Sequence, residues 1–211
     1  QSGTITCEVK NFTDGTVTIY HGDCREILPA LEYDCIVTDP PYGIGFAAQP
    51  TKWQRRTKMQ GGRVAGQSPE SWDDATVDGI IETIASDTRP TIIWGGNYYA
   101  LPPQRGWLCW LKPDAPPSMG SFELAWTNLD QNTRLISCSI SQTNAERLGH
   151  PNQKPERVVS WCLGFVKGMT VVDPFMGSGT TLRVAKNLGR QAIGIEQAKR
   201  ISHDSVIEAA G

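Results

Sequence analysis

The sequence predicts an α/β fold built on a doubly wound, mostly parallel sheet. Short apolar segments typical of strands alternate with amphipathic segments typical of helices in both halves of the chain. The segment Cys35–Thr38 is a continuous apolar run, as expected of a parallel strand buried on both faces. Strand–helix alternation of this kind favours a sheet covered by helices on both sides.

The elements of the first half follow from their apolar periodicity. Residues 16–20 alternate as a short strand, and residues 23–31 resemble a short helix with Asp23 as its N-cap. A stripe of apolar residues between positions 77 and 85 has helical spacing. Residues 91–94 form the next predicted strand.

The second half contains a block of a different character. Residues 105–111, 122–127 and 133–139 resemble three strands in succession without helices between them, which favours an antiparallel edge. Alternation then returns with a helix over 155–166, a strand at 171–172, a helix over 180–188 and a strand over 192–195.

One insertion interrupts this alternation. The 211 residues suit a single domain over residues 1–211, and we interpret 46–75 as an inserted mobile loop that binds substrate. The net charge of −2 does not indicate a nucleic-acid-binding protein. Residues 47–69 of the loop, however, include five basic residues and no acidic residue. The candidate nucleic-acid contacts of the loop are Lys52, Trp53, Arg55, Arg56, Lys58 and Arg63. The alternative is that these cationic side chains are simply solvated on a mobile loop and bind no nucleic acid.

Cysteine and histidine usage argues against a metal site. The six cysteines and three histidines are scattered, and no C-x-x-C pair occurs, so we predict no zinc or other metal. Dispersed cysteines favour a reducing compartment. We expect no secretory leader, and the sequence contains no apolar run long enough for a membrane span. We therefore expect a cytoplasmic protein without membrane contacts.

Polar residues and a glycine follow the ends of several predicted strands. These positions are Asp23, Asp39, Gly95, Asp173 and Glu196. In open α/β sheets, ligands bind beyond the carboxyl ends of the strands. We therefore expect these residues to share one rim of the sheet.

A glycine turn opens the predicted helix that follows Asp173. Gly177 and Gly179 allow a ligand to approach the backbone, and the N–H groups of the following helix start favour an anion. The turn lacks the lysine of a P-loop, and Leu182 occupies the third glycine position of the dinucleotide fingerprint. Glu196 ends the next strand, where a carboxylate can accept ribose hydroxyls, although it could also be a solvated strand end. This pattern indicates a nucleoside with an anionic group.

The segment Asp39-Pro40-Pro41-Tyr42 provides the second candidate site. It combines a carboxylate, a proline-stiffened turn without N–H donors and an aromatic face, which together suit a flat base that bears an amine. The alternative is structural, because prolines often only end a strand and Tyr42 could be ordinary packing.

These two motifs resemble those of a known family. The tetrad Asp39–Tyr42, followed far downstream by the motif Asp173-Pro-Phe-Met-Gly-Ser-Gly-Thr180, is similar to the β class of DNA adenine-N6 and cytosine-N4 methylases, which use S-adenosylmethionine. The segments His21–Cys24 and His150–Pro155 also match. The resemblance implies a Rossmann-like methyltransferase sheet with circularly permuted motif order, in which the catalytic motif precedes the cofactor motif.

The resemblance also implies roles for individual residues. The catalytic residues would be Asp39, Pro40, Pro41 and Tyr42. The cofactor-binding residues would be Asp23, Cys24, Lys154, Asp173, Phe175, Gly177, Ser178, Gly179, Thr180 and Glu196. Within this set, Lys154 would bind the cofactor carboxylate and Glu196 the ribose.

The predicted function is methyl transfer from S-adenosylmethionine to the N6 amine of adenine in DNA. The aspartate of the tetrad favours adenine, since the family's cytosine-N4 enzymes more often have serine there. The substrate would be a flipped base or a single strand. Cytosine-N4 methylation, RNA or protein methylation, a catalytically silent nucleic-acid-binding subunit and a nicotinamide dehydrogenase remain alternatives. A homodimer and a role in a bacterial or phage setting, including restriction–modification, are also expectations.

Overall fold

The computed structural model describes residues 8–11, 15–42, 77–117, 119–141 and 154–197. Within these ranges nine strands form one sheet. The strands are β1 (Glu8–Asn11), β2 (Val17–His21), β3 (Cys35–Thr38), β4 (Thr91–Trp94), β5 (Trp107–Leu111), β6 (Phe122–Thr127), β7 (Arg134–Ser137), β8 (Thr170–Asp173) and β9 (Gln191–Glu196). The helices are α1 (Cys24–Ile27), α2 (Asp78–Ala85), α3 (Glu156–Leu163) and α4 (Thr180–Asn187).

The described strands are arranged in the order β1-β2-β9-β8-β3-β4-β6-β5-β7. From β2 to β4 all neighbouring strands are parallel. On one side β1 pairs antiparallel with β2, and on the other β6 pairs antiparallel with both β4 and β5. This sheet confirms the doubly wound, mostly parallel fold.

The three strands that were predicted in succession do not all run antiparallel to their neighbours. Only β6 is inverted on that side, because β7 joins β5 in parallel and both therefore have the direction of the central strands. Along this edge the order is β4-β6-β5-β7, so β5 lies between β6 and β7 although it precedes both in sequence.

Both faces of the sheet are covered, as the apolar sequence of β3 requires. Cys35 and Val37 pack in a cluster with apolar residues of α3 and α4. Ile36, between them in sequence, packs in a second cluster with apolar residues of α2. Side chains alternate across a strand, so a strand buried in both clusters must be apolar at successive positions.

Several element boundaries differ from the prediction. The segment 23–31 begins as α1 and continues as a 3-10 turn over Leu28–Ala30, where Pro29 has no N–H with which to continue an α-helix. Strand β1 was not predicted. The helix predicted over 155–166 is shorter, and it ends at Leu163.

The predicted loop 46–75 lies outside the described residues, and so do its six candidate nucleic-acid contacts. The single domain over the whole chain and the role of this loop therefore stay predictions. None of the described helices is long and apolar enough to cross a membrane.

Candidate active site

Adjacent strands bring the two motifs into contact. β3 leads into Asp39 and β8 ends at Asp173, and these strands pair in parallel at the centre of the sheet. The Thr38 hydroxyl donates to Asp173 Oδ1 over 2.7 Å, although 135 residues separate the two in sequence. The predicted shared rim is therefore present, and the tetrad is bonded through its preceding residue to the start of the glycine motif.

Asp173 is a buried carboxyl group held by several donors. It is 2% exposed, and its Oδ1 also accepts the N–H of Phe175 at 3.1 Å. Burial raises its pKa to about 6, although hydrogen bonds from Thr38, Thr181 and Phe175 act in the opposite direction; the charge of Asp39 adds to the increase. A carboxyl with this pKa changes charge near neutral pH.

The glycine turn after Asp173 uses backbone conformations that favour glycine. Gly177 and Gly179 have φ values of +50° and +77°, in the left-handed region. The Gly177 N–H donates to Glu196 Oε2 at 3.0 Å, which fastens the turn to the end of β9. Among the residues that the structure describes, the nearest neighbour of a Cβ at Gly177 would be the Phe175 carbonyl at 4.0 Å. The turn therefore leaves room for a ligand to approach, and it fits a nucleoside cofactor.

The end of β2 lies beside Glu196. His21 is the register partner of Glu196, and the Gly22 N–H donates to the Glu196 carbonyl at 3.0 Å. Cys24 follows in α1, where burial, with the nearby charge of Asp23, raises the pKa of its thiol to about 11. The thiol is thus neutral at pH 7 and offers an apolar contact beside the carboxylate of Glu196.

Asp23 is the N-cap of α1. Its Oδ1 accepts the N–H of Arg25 at 2.9 Å, and its carboxylate forms an ion pair with the Arg25 guanidinium. The hydrogen bonds from Arg25 keep the pKa of Asp23 below its usual value against the opposing effect of burial. The structure confirms the capping interpretation of Asp23. Its predicted contact with the cofactor stays a prediction.

Two residues of the tetrad, Asp39 and Tyr42, form a closed set of hydrogen bonds with Lys154. The Tyr42 hydroxyl donates to Asp39 Oδ1 at 2.5 Å, and Lys154 Nζ donates to Asp39 Oδ2 at 2.6 Å. Lys154 Nζ also donates to the Tyr42 hydroxyl at 3.2 Å. Burial, followed by the charge of Asp39, raises the pKa of Tyr42 well above its usual value, so its O–H remains a donor at neutral pH.

The turn after β4 holds Tyr42 in place. Gly95 has φ +67°, and a Cβ there would lie 2.1 Å from the Tyr42 ring. Tyr98 stacks on the same ring with centroids 5.0 Å apart. The Tyr99 hydroxyl donates to the Pro41 carbonyl. The predicted rim residue Gly95 is therefore next to the tetrad because only a residue without a side chain fits against Tyr42.

Lys154 connects the tetrad to a chain of alternating charges. Its Nζ lies 3.0 Å from Glu123 Oε2, and Lys112 bonds the other oxygen of Glu123. Burial opposes the charge of Lys154, but the carboxylates of Asp39 and Glu123, with Tyr42, raise its pKa well above the usual value. For Glu123, burial is likewise outweighed by the two lysines, which lower its pKa. Lys154 and Glu123 are therefore both charged at neutral pH.

Lys154 contacts the tetrad, which its predicted role did not include. It was predicted among the cofactor contacts, and its described polar contacts are with Asp39, Tyr42 and Glu123. Binding of a cofactor carboxylate by Lys154 stays a prediction.

The sequence reasoning did not identify several residues of the site. They are Thr38, Trp94, Tyr98, Tyr99, Lys112 and Glu123. Thr38 carried a usable signal in the sequence, since it is the polar last residue of an otherwise apolar strand. In the structure it is only 1% exposed. Glu123 carried none, because a single acidic residue in a strand is usually solvated.

Known proteins that resemble this chain are described as methylases or methyltransferases. Residues 85 to 206, more than half of the chain, match the profile of the family designated N6_N4_Mtase and described as DNA methylase. Over 85% of its length the chain is 26% identical to the type II methyltransferase M.ScaI of Streptomyces caespitosus, of which it covers 77%. A segment of 52 residues is 48% identical to the type II methyltransferase M2.DpnII of Streptococcus pneumoniae, and it spans 24% of this chain and 19% of that protein.

Solved structures share the fold. The M1.HpyAVI–SAM complex aligns with 92% of this chain and 98% of its own, with a TM-score of 0.56 and 20% identity. The cytosine-N4-specific PvuII DNA methyltransferase aligns with 92% of this chain and 86% of its own, with a TM-score of 0.56 and 15% identity. At these identities the similarity concerns the fold alone, and it confirms the Rossmann-like methyltransferase sheet.

Proposed function

The chain belongs to the N6/N4 DNA methylase family, and from this premise we propose that it transfers a methyl group from S-adenosylmethionine to the N6 amine of adenine in DNA. The observation that carries the proposal is the direct hydrogen bond between Thr38 and Asp173. It supports one continuous site in which the tetrad meets the cofactor motif.

The donor site is formed by the glycine turn and the end of β9. S-adenosylmethionine supplies an activated methyl group when bound. Gly177 gives the cofactor access to the backbone, Glu196 offers a carboxylate at the ribose position, and Asp173 places a negative charge near the positively charged donor. The open space at Gly177 supports this assignment.

The acceptor site is the Asp39 carboxylate. An exocyclic aromatic amine is a poor nucleophile because its lone pair is delocalised into the ring. Acceptance of an amine hydrogen by Asp39, and of the other by the Pro40 carbonyl, returns electron density to the nitrogen. The nitrogen would then accept the methyl group that the bound donor supplies, with the demethylated cofactor as the leaving group, and Asp39 would accept the extra amine proton. Alignment of nitrogen and methyl group can lower the barrier by ~7–11 kcal/mol.

Tyr42 would orient the base. Its ring is fixed between Gly95 and Tyr98, and its hydroxyl holds one oxygen of Asp39. A flat base that stacks on this ring would take the place of Tyr98, which is 50% exposed, and would present its amine to the same carboxylate. A duplex base reaches such a site only after flipping, which costs a few kcal/mol.

An isotope assay tests the reaction and the base together. Incubation of the protein with tritiated S-adenosylmethionine and unmethylated genomic DNA, followed by digestion to nucleosides, is expected to yield N6-methyladenine. N4-methylcytosine would correct the base within the same family. Label in RNA or protein competitors with none in DNA would contradict the proposal.

Replacement of Asp39 by Ala tests the acceptor. Methyl transfer should be abolished, while the cofactor Kd measured by calorimetry changes by less than about tenfold, because the carboxylate acts on the amine. Asp130→Ala is a matched control, since that carboxylate is 90% exposed and its described ion pair is with Arg105 at 3.4 Å. Retained turnover in the Asp39 variant would refute the assigned role.

The basic loop is tested by salt dependence. Replacement of Lys52, Arg55 and Arg56 together by Ala should weaken DNA binding and flatten the dependence of log Kd on log salt, because each phosphate contact releases counterions. The control is a triple replacement of the exposed cations Arg105, Arg134 and Lys167. Equal slopes for the two triple variants would exclude the loop from the DNA contact.

A further inference from the structure

Both oxygens of the Asp39 carboxylate are engaged by donors from the protein itself. Tyr42 donates to Oδ1 at 2.5 Å and Lys154 donates to Oδ2 at 2.6 Å. Each carboxylate oxygen can accept two hydrogen bonds, so an amine competes with a present donor where it approaches Asp39 from the side of that donor. Tyr42 is wedged against Gly95 and stacked on Tyr98, so its hydroxyl has little freedom to move. Lys154 is the donor that can be exchanged.

Lys154 has a second acceptor within reach. Its Nζ lies 3.0 Å from Glu123 Oε2, and its side chain is 9% exposed. The ammonium also faces the rings of Trp94 and Tyr42, with its nitrogen 5.1 Å and 5.8 Å from their centroids. The nitrogen thus occupies an aromatic-walled position beside the carboxylate, which is the environment that the amine of a flat base would require.

We propose that Lys154 and the target amine are alternative donors to Asp39, and that Glu123 is the acceptor that retains Lys154 when the amine binds. The inference rests on the proposed function, because it takes Asp39 as the acceptor for that amine. Lys154 is in this view a positioning residue that sets the affinity of the site for its base.

Charge balance supports the exchange. Lys112, Glu123, Lys154 and Asp39 alternate in sign along a connected chain. When Lys154 moves toward Glu123, the lysine remains paired, and Asp39 is left to the amine. The amine carries a positive charge after it accepts the methyl group and before its proton leaves. An ammonium on the same carboxylate would repel that charge, so the reaction itself favours displacement of Lys154.

Substitution of Lys154 by Met removes the competing donor and keeps the length of the side chain. DNA affinity, measured at equilibrium on sheared unmethylated genomic DNA with S-adenosylhomocysteine present, is expected to increase by roughly tenfold, the equivalent of one charge-assisted hydrogen bond. KM for the same DNA should fall in parallel, and the cofactor Kd should stay within about threefold. Lys167→Met, at an exposed position, is the control.

Glu123→Gln tests the second acceptor independently. Loss of its charge should hold Lys154 on Asp39 and raise KM for DNA by roughly fivefold. In the Lys154→Met background the same Glu123 substitution should have no effect on KM. A purely structural role of Glu123 would lower activity equally in both backgrounds, which would overturn the inference.

The remaining outcomes are also decisive. A folded Lys154→Met variant with unchanged or weaker DNA binding would overturn the inference, as would an increased cofactor Kd with unchanged DNA affinity, which would assign Lys154 to the cofactor. If Lys154→Met fails to fold, the Glu123→Gln variant decides, and an unchanged KM there refutes the exchange. Failure of the parent protein to methylate DNA would instead refute the proposed function, whatever the lysine variants show.

Discussion

Replacement of Asp173 by Asn is expected to stabilise the fold at neutral pH. Burial raises the pKa of Asp173 from its usual 3.8 to about 6, a change that corresponds to about 3 kcal/mol at about 1.4 kcal/mol per pKa unit. Because the pKa is higher in the folded protein, the contribution of this carboxyl to stability is fully present below pH 3.8 and is lost as the pH rises through about 6. At pH 7 the folded protein therefore bears the cost of a buried charge.

Asparagine can keep the contacts that Asp173 makes. The donors Thr38 and Phe175 both bond Oδ1, at 2.7 Å and 3.1 Å, and an amide oxygen accepts both. Thr181, which donates to the carboxylate, can turn its hydroxyl and accept from the amide N–H. Removal of the charge at no net loss of hydrogen bonds predicts a gain of about 1–3 kcal/mol at pH 7. For a chain of this size the melting temperature should rise by about 2–10 °C.

Urea unfolding of both proteins between pH 4 and pH 8 measures the effect. The difference in free energy of unfolding isolates Asp173, because the other titrating groups are shared. The control is Asp34→Asn: the Asp34 carboxylate accepts the N–H groups of Met169 and Thr170, which lower its pKa, so its loss should destabilise the fold at neutral pH. An Asp173 variant less stable than the parent at pH 7, or a difference that is constant from pH 4 to pH 7, would refute the reasoning.

Two further predictions concern the site and the scaffold. Gly95→Ala should abolish methyl transfer but leave cofactor affinity unchanged, because its Cβ would displace the Tyr42 ring. The control is Gly79→Ala, whose Cβ meets no described atom within 4 Å; it should change neither methyl transfer nor cofactor affinity. Asn128→Ala should lower the free energy of unfolding by about 2–3 kcal/mol in urea titrations, because Asn128 accepts the Thr91 N–H and donates to two further carbonyls. Full activity of the Gly95 variant or unchanged stability of the Asn128 variant would contradict these expectations.

Much of the fold could be predicted because its signals are local. Residues Cys35, Ile36 and Val37 are apolar at successive positions, and a strand packed on both faces requires that pattern. The shared rim followed from the rule that parallel strands present their carboxyl ends together. Boundaries were less accurate where a single residue decides, as at Pro29, whose missing N–H converts the end of a helix into a 3-10 turn.

The sequence by itself determined which chemical groups stand at the strand ends, since the tetrad and the glycine turn are contiguous motifs with local geometry. Only the tertiary structure decided which groups bond one another. Thr38 donates a hydrogen bond to Asp173, 135 residues away in sequence, and Lys154 donates one to Asp39, 115 residues away. Such pairs depend on strand order and on the burial of charge. A carboxylate inside a fold takes whichever donor the packing brings near, and no local pattern in the chain specifies that donor.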